Sequence, residues 1–195
     1  DGERDGECIW YTETGVIDVK SKYKEGKRHG DFYVYEPIKG EVVYKKHYTN
    51  GDIDSYTYLK DGEYITPIVL ENETGKVLAY YNNGQKSIER SYTKGLGEGD
   101  IVYYYPNGKL WSKGMLEVDE YVGERIKYHP NGVIKQKLNY VLGSLNGLIT
   151  TYDTNGNKIK EESYVLGNKQ GVTLEFNIDG TVRSQGVYEN DFKMK

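Results

Sequence analysis

The feature that most restricts what this chain can fold into is a 24-residue period in its aromatic residues. Tyr80, Tyr104, Tyr128, Tyr152 and Phe176 lie 24 residues apart, and Tyr11 and Tyr35 keep the same step. Tyr58 falls one residue short of that interval and Tyr80 two short. A glycine follows nearly every one by four residues: Gly15, Gly62, Gly84, Gly108, Gly132, Gly156 and Gly180; Gly40 follows Tyr35 by five. A second column lies eight residues past the turn glycine, at Tyr23, Tyr48, Tyr92, Tyr140, Tyr164 and Tyr188, with Leu70 and Leu116 in the other two places. Self-similarity at such a period means that each repeat is one supersecondary unit, which buries its apolar face only against its neighbours. Eight repeats are read, beginning near residues 6, 30, 54, 76, 99, 123, 147 and 171.

The unit itself is legible in residues 123–147. Apolar and polar residues alternate up to Tyr128, as on a half-buried strand. His129-Pro130-Asn131-Gly132 is turn chemistry. Proline presets φ for a type I turn, and a following glycine supplies the left-handed residue that closes a hairpin with a bulge. A second run leads to Tyr140, and Gly143 and Gly147 are expected to bracket a looser turn. The chain is therefore expected to be all-β, a single-layer elongated antiparallel sheet of stacked β-hairpins. It is read as one repeat domain over residues 1–195, irregular at 50–80.

The two columns account for 13 of the 21 tyrosines, so their default role is packing. Each ring is expected to stack on its equivalent one repeat away, hydroxyl at the rim. The residue two before the first column is Ile9, Tyr33, Tyr56, Leu78, Val102, Ile126, Thr150 or Leu174, on the same face as the tyrosine. The intervening residue, on the opposite face, runs Trp10, Val34, Thr57, Ala79, Tyr103, Lys127, Thr151, Glu175, apolar early and polar late. A repeat does not require that gradient. The early part of this face, with Trp10, Val34 and Tyr103, is expected to pack on another element or to dock a partner.

Residues 50–80 break the rhythm. Ile65-Thr-Pro67-Ile-Val-Leu70 contains a proline, which sheets tolerate only at edges, strand starts or bulges. A bulge or bend is expected there. Before it lies a basic cluster of Lys20, Lys22, Lys24, Lys27 and Arg28, with Lys45, Lys46 and His47 one repeat on. Such a cluster suits an acidic partner or phospholipid headgroups on an anionic membrane surface, and equally a solvated strand face that discourages edge pairing. Lys20, Lys22, Lys24, Lys45 and Lys46 join Trp10, Val34 and Tyr103 as candidate partner-binding residues.

Other chemistries find little support. Net charge is −4, so the overall balance does not call for nucleic acid. No run of 18 apolar residues is present, so no membrane-spanning helix is expected. His29, His47 and His129 have no second ligand at metal-site spacing, and His129 occupies a turn slot held elsewhere by Tyr105 and Asp153. The glycines have the spacing of turns, with no loop leading into a helix to cradle phosphate. Adjacent carboxylates such as Glu161-Glu162 point to opposite faces of a strand. No catalytic, metal or cofactor-binding residue is assigned, and the chain is not expected to be an enzyme. The one cysteine, Cys8, excludes an internal disulfide.

Tyr-x-x-Gly-x-x-x-Gly-x-x-x-x-Tyr-x-x-Asn-Gly, seen as Tyr92…Gly95…Gly99…Tyr104…Asn107-Gly108 and Tyr140…Gly143…Gly147…Tyr152…Asn155-Gly156, resembles the MORN repeat in its bacterial variant. The resemblance implies antiparallel hairpins stacked edge to edge, and a role in scaffolding and protein association. It also implies an antitoxin-like reading, in which the protein partner is a toxin inhibited by occlusion. The alternative is a carbohydrate- or cell-wall-binding module. Tyr80–Gly84 and Tyr104–Gly108 are similar to the aromatic hairpins of glycan-binding repeats, but Trp10 and Trp111 lack the preceding glycine those repeats carry. Terminal hairpins leave open strand edges, so end-to-end self-association is a further expectation. Gly2 and Gly6 have the spacing of Gly26 and Gly30, so the chain is expected to start inside a turn, with residues before Asp1 removed.

Overall fold

A computed structural model describes residues 3–194. Asp1, Gly2 and Lys195 lie outside the described residues, and with them the expected start inside a turn. The chain is all-β, built of antiparallel hairpins in open sheets. The described residues group into two compact units, one running up to Gly97 with 104–108, the other taking 98–103 and everything from Lys109.

The first unit contains β1 (Gly6–Tyr11), β2 (Ile17–Lys24), β3 (Lys27–Tyr35), β4 (Val42–Thr49), β5 (Asp52–Thr57), β6 (Leu59–Lys60), β7 (Glu63–Tyr64), β8 (Ile68–Val69), β9 (Gly75–Tyr80) and β10 (Lys86–Thr93). β1 to β5 pair in sequence order with β8 at the end; β6 pairs β7, and β9 pairs β10. β11 (Leu96–Tyr104) carries the chain between units. The second unit contains β12 (Leu110–Glu117), β13 (Glu120–Tyr128), β14 (Ile134–Val141), β15 (Ser144–Leu145), β16 (Gly147–Tyr152), β17 (Lys158–Val165), β18 (Asn168–Phe176), β19 (Val182–Glu189) and β20 (Phe192–Lys193). They too pair in chain order, except that β15 hangs on β14 beside β16.

The Asn-Gly turn forms as its residues dictate. The His129 amide donates to the Val133 carbonyl at 2.8 Å and the Gly132 amide to the His129 carbonyl at 2.8 Å, with Gly132 at φ 90°. A side chain there would be forced into the left-handed region, which is why glycine recurs. The register slips by one residue at Trp10/Tyr11, Val34/Tyr35, Lys127/Tyr128, Thr151/Tyr152 and Glu175/Phe176. The first aromatic column thus marks the bulge that each such turn imposes on its strand.

Successive turns are tied together by their side chains. Asn83 Nδ2 donates to the Pro106 carbonyl and Asn131 Nδ2 to the Thr154 carbonyl, both at 2.7 Å. The Tyr81 hydroxyl donates to the Tyr104 carbonyl at 2.7 Å, and His129 Nε2 donates to that of Tyr152 at 2.9 Å. A carbonyl only accepts, so the His129 proton sits on Nε2. Asn131 Oδ1 also accepts from the Val133 amide at 3.0 Å, so replacing Asn131 by Ala removes two hydrogen bonds and is expected to cost about 1–2 kcal/mol in urea titrations; an unchanged midpoint would show that water replaces them freely.

The links between hairpins differ from expectation. They are not looser turns but two-residue turns with both residues left-handed, for example Leu142 (φ 48°) and Gly143 (φ 73°). This is the mirror-image turn whose twist matches that of the flanking strands. Equivalent rings also do not generally stack. One repeat spans two strands, about 9.6 Å, beyond the 4.5–7 Å of a ring pair. Tyr58 and Tyr80, in the shortened repeat, do meet at 5.4 Å. Elsewhere cations fill the interval: Lys158 lies 4.6 Å from the Phe176 ring and Lys169 4.1 Å from Tyr188, while Arg4 and Arg28, themselves 24 residues apart, lie 5.4 Å from Tyr23 and 5.6 Å from Tyr48.

The break at 50–80 decides where the first core lies. β8 pairs β5 over only two residues, Val69 with Ser55 and Ile68 with Tyr56, and a single 3₁₀ turn at Glu71–Glu73 precedes β9. Pro67, lacking an N–H, cannot extend that pairing. Within this unit β4 then packs on β9 and β10. The Ser87 hydroxyl donates to the Val43 carbonyl at 2.6 Å, and Val43, Tyr44, Val77, Ala79 and Ile88 are fully buried. In the second unit the buried apolar residues are Ile101, Leu116, Leu138 and Ile149.

Candidate functional site

Cross-strand pairing decides which side chains share a face. Glu7 opposes Lys22, Ile9 opposes Lys20, Lys20 opposes Tyr33, and Tyr33 opposes Lys45. One face of β1–β4 therefore carries Glu7, Lys20, Lys22, Asp31, Tyr33, Lys45 and His47. The other carries Ser21, Tyr23, Phe32, Val34, Tyr44, Lys46 and Tyr48, and most of it is buried. In the first unit the core is thus opposite to the first tyrosine column.

The outer face forms a groove of about 400 Å³ lined by Glu7, Lys20, Lys22, Gly30, Asp31, Tyr33 and His47. Asp31 is its hub. Its carboxylate accepts from the Tyr33 hydroxyl at 3.1 Å and from Lys45 Nζ at 3.3 Å, and meets His47 Nδ1 at 2.9 Å. Partial burial pulls the Asp31 pKa up, but His47, Lys45 and Tyr33 outweigh it, and the net shift is downward. Burial, reinforced by the Asp31 charge, pushes the Tyr33 phenol up to about 12. Lys20 pairs with Glu7 at 2.9 Å, and that hydrogen bond raises its pKa. Lys45 also lies 4.6 Å from the Tyr64 ring, so the β6–β7 hairpin reaches over this face. Among the described residues Lys22 and Lys24 enter no ion pair.

The candidate residues divide on this geometry. Lys20, Lys22 and Lys45 come together at the groove, with Lys24 exposed beyond them. Two are corrected: Val34 and Lys46 are buried inside the first unit and offer nothing to a partner. Lys46 Nζ donates to the Tyr92 hydroxyl at 3.1 Å and lies 4.4 Å from the Phe32 ring. Trp10 is half-buried, edge-on to Tyr23 at 6.3 Å with Arg4 5.6 Å from its ring. Tyr103 belongs to the second unit, where its ring meets Trp111 at 4.9 Å. The apolar-to-polar gradient is therefore explained mainly by packing within the first unit. Asp31 and its ties to Tyr33, Lys45 and His47 were not anticipated. They depend on register across β3 and β4, and the spacing of 14 and 16 residues was the available signal.

Comparison with known proteins agrees with the repeat. The family model described as the MORN repeat variant matches residues 4–25, 73–94, 98–116, 121–141 and 145–165. The unmatched stretch 26–72 contains the irregular strands β5 to β8. No curated protein matches the chain. A solved structure, "Crystal Structure of TcdB2-TccC3-Cdc42", aligns over 92% of this chain and 13% of its own at 9% identity, with a TM-score of 0.19. At that score the alignment carries no argument about fold or function.

Proposed function

This chain belongs to the MORN repeat variant family, a repeat-based binding scaffold, and from that premise we propose that it is a non-enzymatic protein that holds a protein partner on the outer face of β1–β4. The observation that carries this reading is a contrast on one face of the sheet. Asp31 and Glu7 are taken up by Lys45, His47 and Lys20, whereas Lys22 and Lys24 face outward without an ion pair among the described residues. Lys22 lines the groove with Tyr33 and Lys24 lies beyond it on the same strand, and two such ammonium groups suit an acidic, partly apolar segment of a partner. For Asp31 and Tyr33 the titration shifts also disfavour proton transfer. A general acid or base works best with a pKa near the operating pH, and here the carboxyl is moved down and the phenol up.

The narrower role is that of an antitoxin or immunity-type protein whose partner is a toxin, held inactive by occlusion of its working surface. This role is drawn from the family resemblance. Both levels are tested with one variant. A partner captured by the wild-type chain is identified, purified and titrated against Lys22→Glu/Lys24→Glu. The double variant is expected to bind at least about tenfold more weakly, ~1.4 kcal/mol, and the wild-type affinity is expected to fall with added salt. Equal affinity of the two proteins would remove the groove as the site. If the partner is toxic when expressed alone, co-expression of the wild type and not of the variant is expected to restore growth; a harmless partner would remove the antitoxin role and leave the scaffold.

A further inference from the structure

The two-residue links between hairpins carry a second, separate surface in the second unit. In the first unit these tips begin with Glu25, Asn50, Asn72 and Lys94, all polar and all left-handed. In the second unit the same position is held by Val118, Leu142 and Leu166, at φ 51°, 48° and 46°, and then by Asn190 at φ 47°. Left-handed backbone is uncommon for residues other than glycine and costly for a β-branched one. These side chains are also in solvent: Val118 is 58% exposed, Leu142 80% and Leu166 61%, and Val141 and Val165 behind them are 40% and 52% exposed. Asparagine is the better residue for this backbone, and the fold accepts it at Asn50. The apolar tips are thus unfavourable for the turn and for hydration alike, and strain kept at a surface points to use of that surface.

The tips form an ordered row. The Gly143 amide donates to the Tyr121 carbonyl at 3.2 Å and the Gly167 amide to that of Leu145 at 2.8 Å, each reaching the preceding link. The Val118 amide is held by Glu98 Oε1 at 3.3 Å and the Leu166 amide by Asn146 Oδ1 at 3.2 Å. Two strands per repeat place the three tips about 19 Å end to end. Charge marks both ends of the row. The links read Glu117-Val-Asp-Glu120, Val141-Leu-Gly-Ser144, Val165-Leu-Gly-Asn168 and Glu189-Asn-Asp-Phe192, with five acids and no base.

We infer that this row is a docking ridge for a cationic amphipathic segment of a protein, its apolar side on Val118, Leu142 and Leu166 and its basic residues against the acidic ends. An anionic bilayer is repelled by the same carboxylates. A second copy docking ridge to ridge sets acids against acids.

The probe is a labelled 16-residue peptide with leucines on one helical face and two lysines at each end, followed by fluorescence anisotropy at 0.15 M salt. Micromolar binding is expected, weakened at least tenfold by Val118→Asn/Leu142→Asn/Leu166→Asn, whose thermal midpoint stays level or rises because asparagine suits the turn. Glu117→Lys/Glu120→Lys, which leaves the left-handed residues alone, is expected to weaken this peptide and strengthen one ended by glutamates. Equal affinity of the triple variant, equal binding of the glutamate-ended peptide to wild type, or sedimentation of the protein with phosphatidylserine vesicles would overturn the assignment. The Lys22→Glu/Lys24→Glu variant is expected to bind the lysine-ended peptide as wild type does, which separates this ridge from the groove of the first unit; a shared loss would count against it.

Discussion

Tyr44→Ala is expected to lower the stability of the first unit by about 3–5 kcal/mol, the range for removing a large buried aromatic side chain. Tyr44 is 1% exposed and lies at the centre of β4, opposite Val34 across the β3 pairing. Its phenol is pushed up mainly by burial, and it hydrogen-bonds to Tyr92 and Arg90 across the layer. Truncation therefore loses the ring's transfer energy, leaves a void between the two layers and breaks polar contacts in a dry site, where an unmade hydrogen bond is costly. Urea unfolding followed by circular dichroism measures the loss. A change below about 1 kcal/mol would mean that the packing of β4 on β10 contributes little.

Lys46 makes the second large effect. It is the unusual member of the same core, a buried lysine whose ammonium is 4.4 Å from the Phe32 ring, 5.1 Å from Tyr48, 5.6 Å from Tyr92 and 5.8 Å from Tyr44. Four ring faces and the Tyr92 hydroxyl replace part of the lost hydration, since a cation over an aromatic face gains most when desolvated. Lys46→Ala removes the stem that fills the layer and the donor to Tyr92, and is expected to cost about 3 kcal/mol. Lys46→Met keeps most of the volume while removing the charge, and a well-packed apolar replacement of a buried ion is often neutral. It is expected to fall within about 1 kcal/mol of wild type. The same urea titration checks both, and equal losses would show that the charge itself, not the packing, holds the site together. Because Lys46 and Tyr44 share neighbours, the double substitution is expected to cost less than the sum of the two.

Much of the local structure could be read from residue order. Pro130-Asn-Gly132 gave a turn and bulge where expected, with β13 and β14 on either side. Pro67 and the shortened repeats located the irregular stretch. His129 was readable as a turn residue, though not as the donor that reaches the next turn. The candidate site was only half legible. Lys20, Lys22 and Lys45 do line or border one groove, but Lys46, next in sequence to Lys45, points to the opposite face and into the core. Period-two alternation separates those two lysines. It does not say which face is dry.

Turn chemistry and a 24-residue rhythm were enough to specify hairpins, their bulges and the order in which strands pair, because each depends on residues close together in the chain. Which face of the first sheet became interior was settled by contacts such as Ser87 with Val43 and Lys46 with Tyr92, 44 and 46 residues apart. Burial is a property of what lies opposite a surface, and here that opposing layer arises from a break in the repeat. Only the folded chain therefore decided that Val34 and Lys46 are core, and that Lys22 and Lys24 stay exposed.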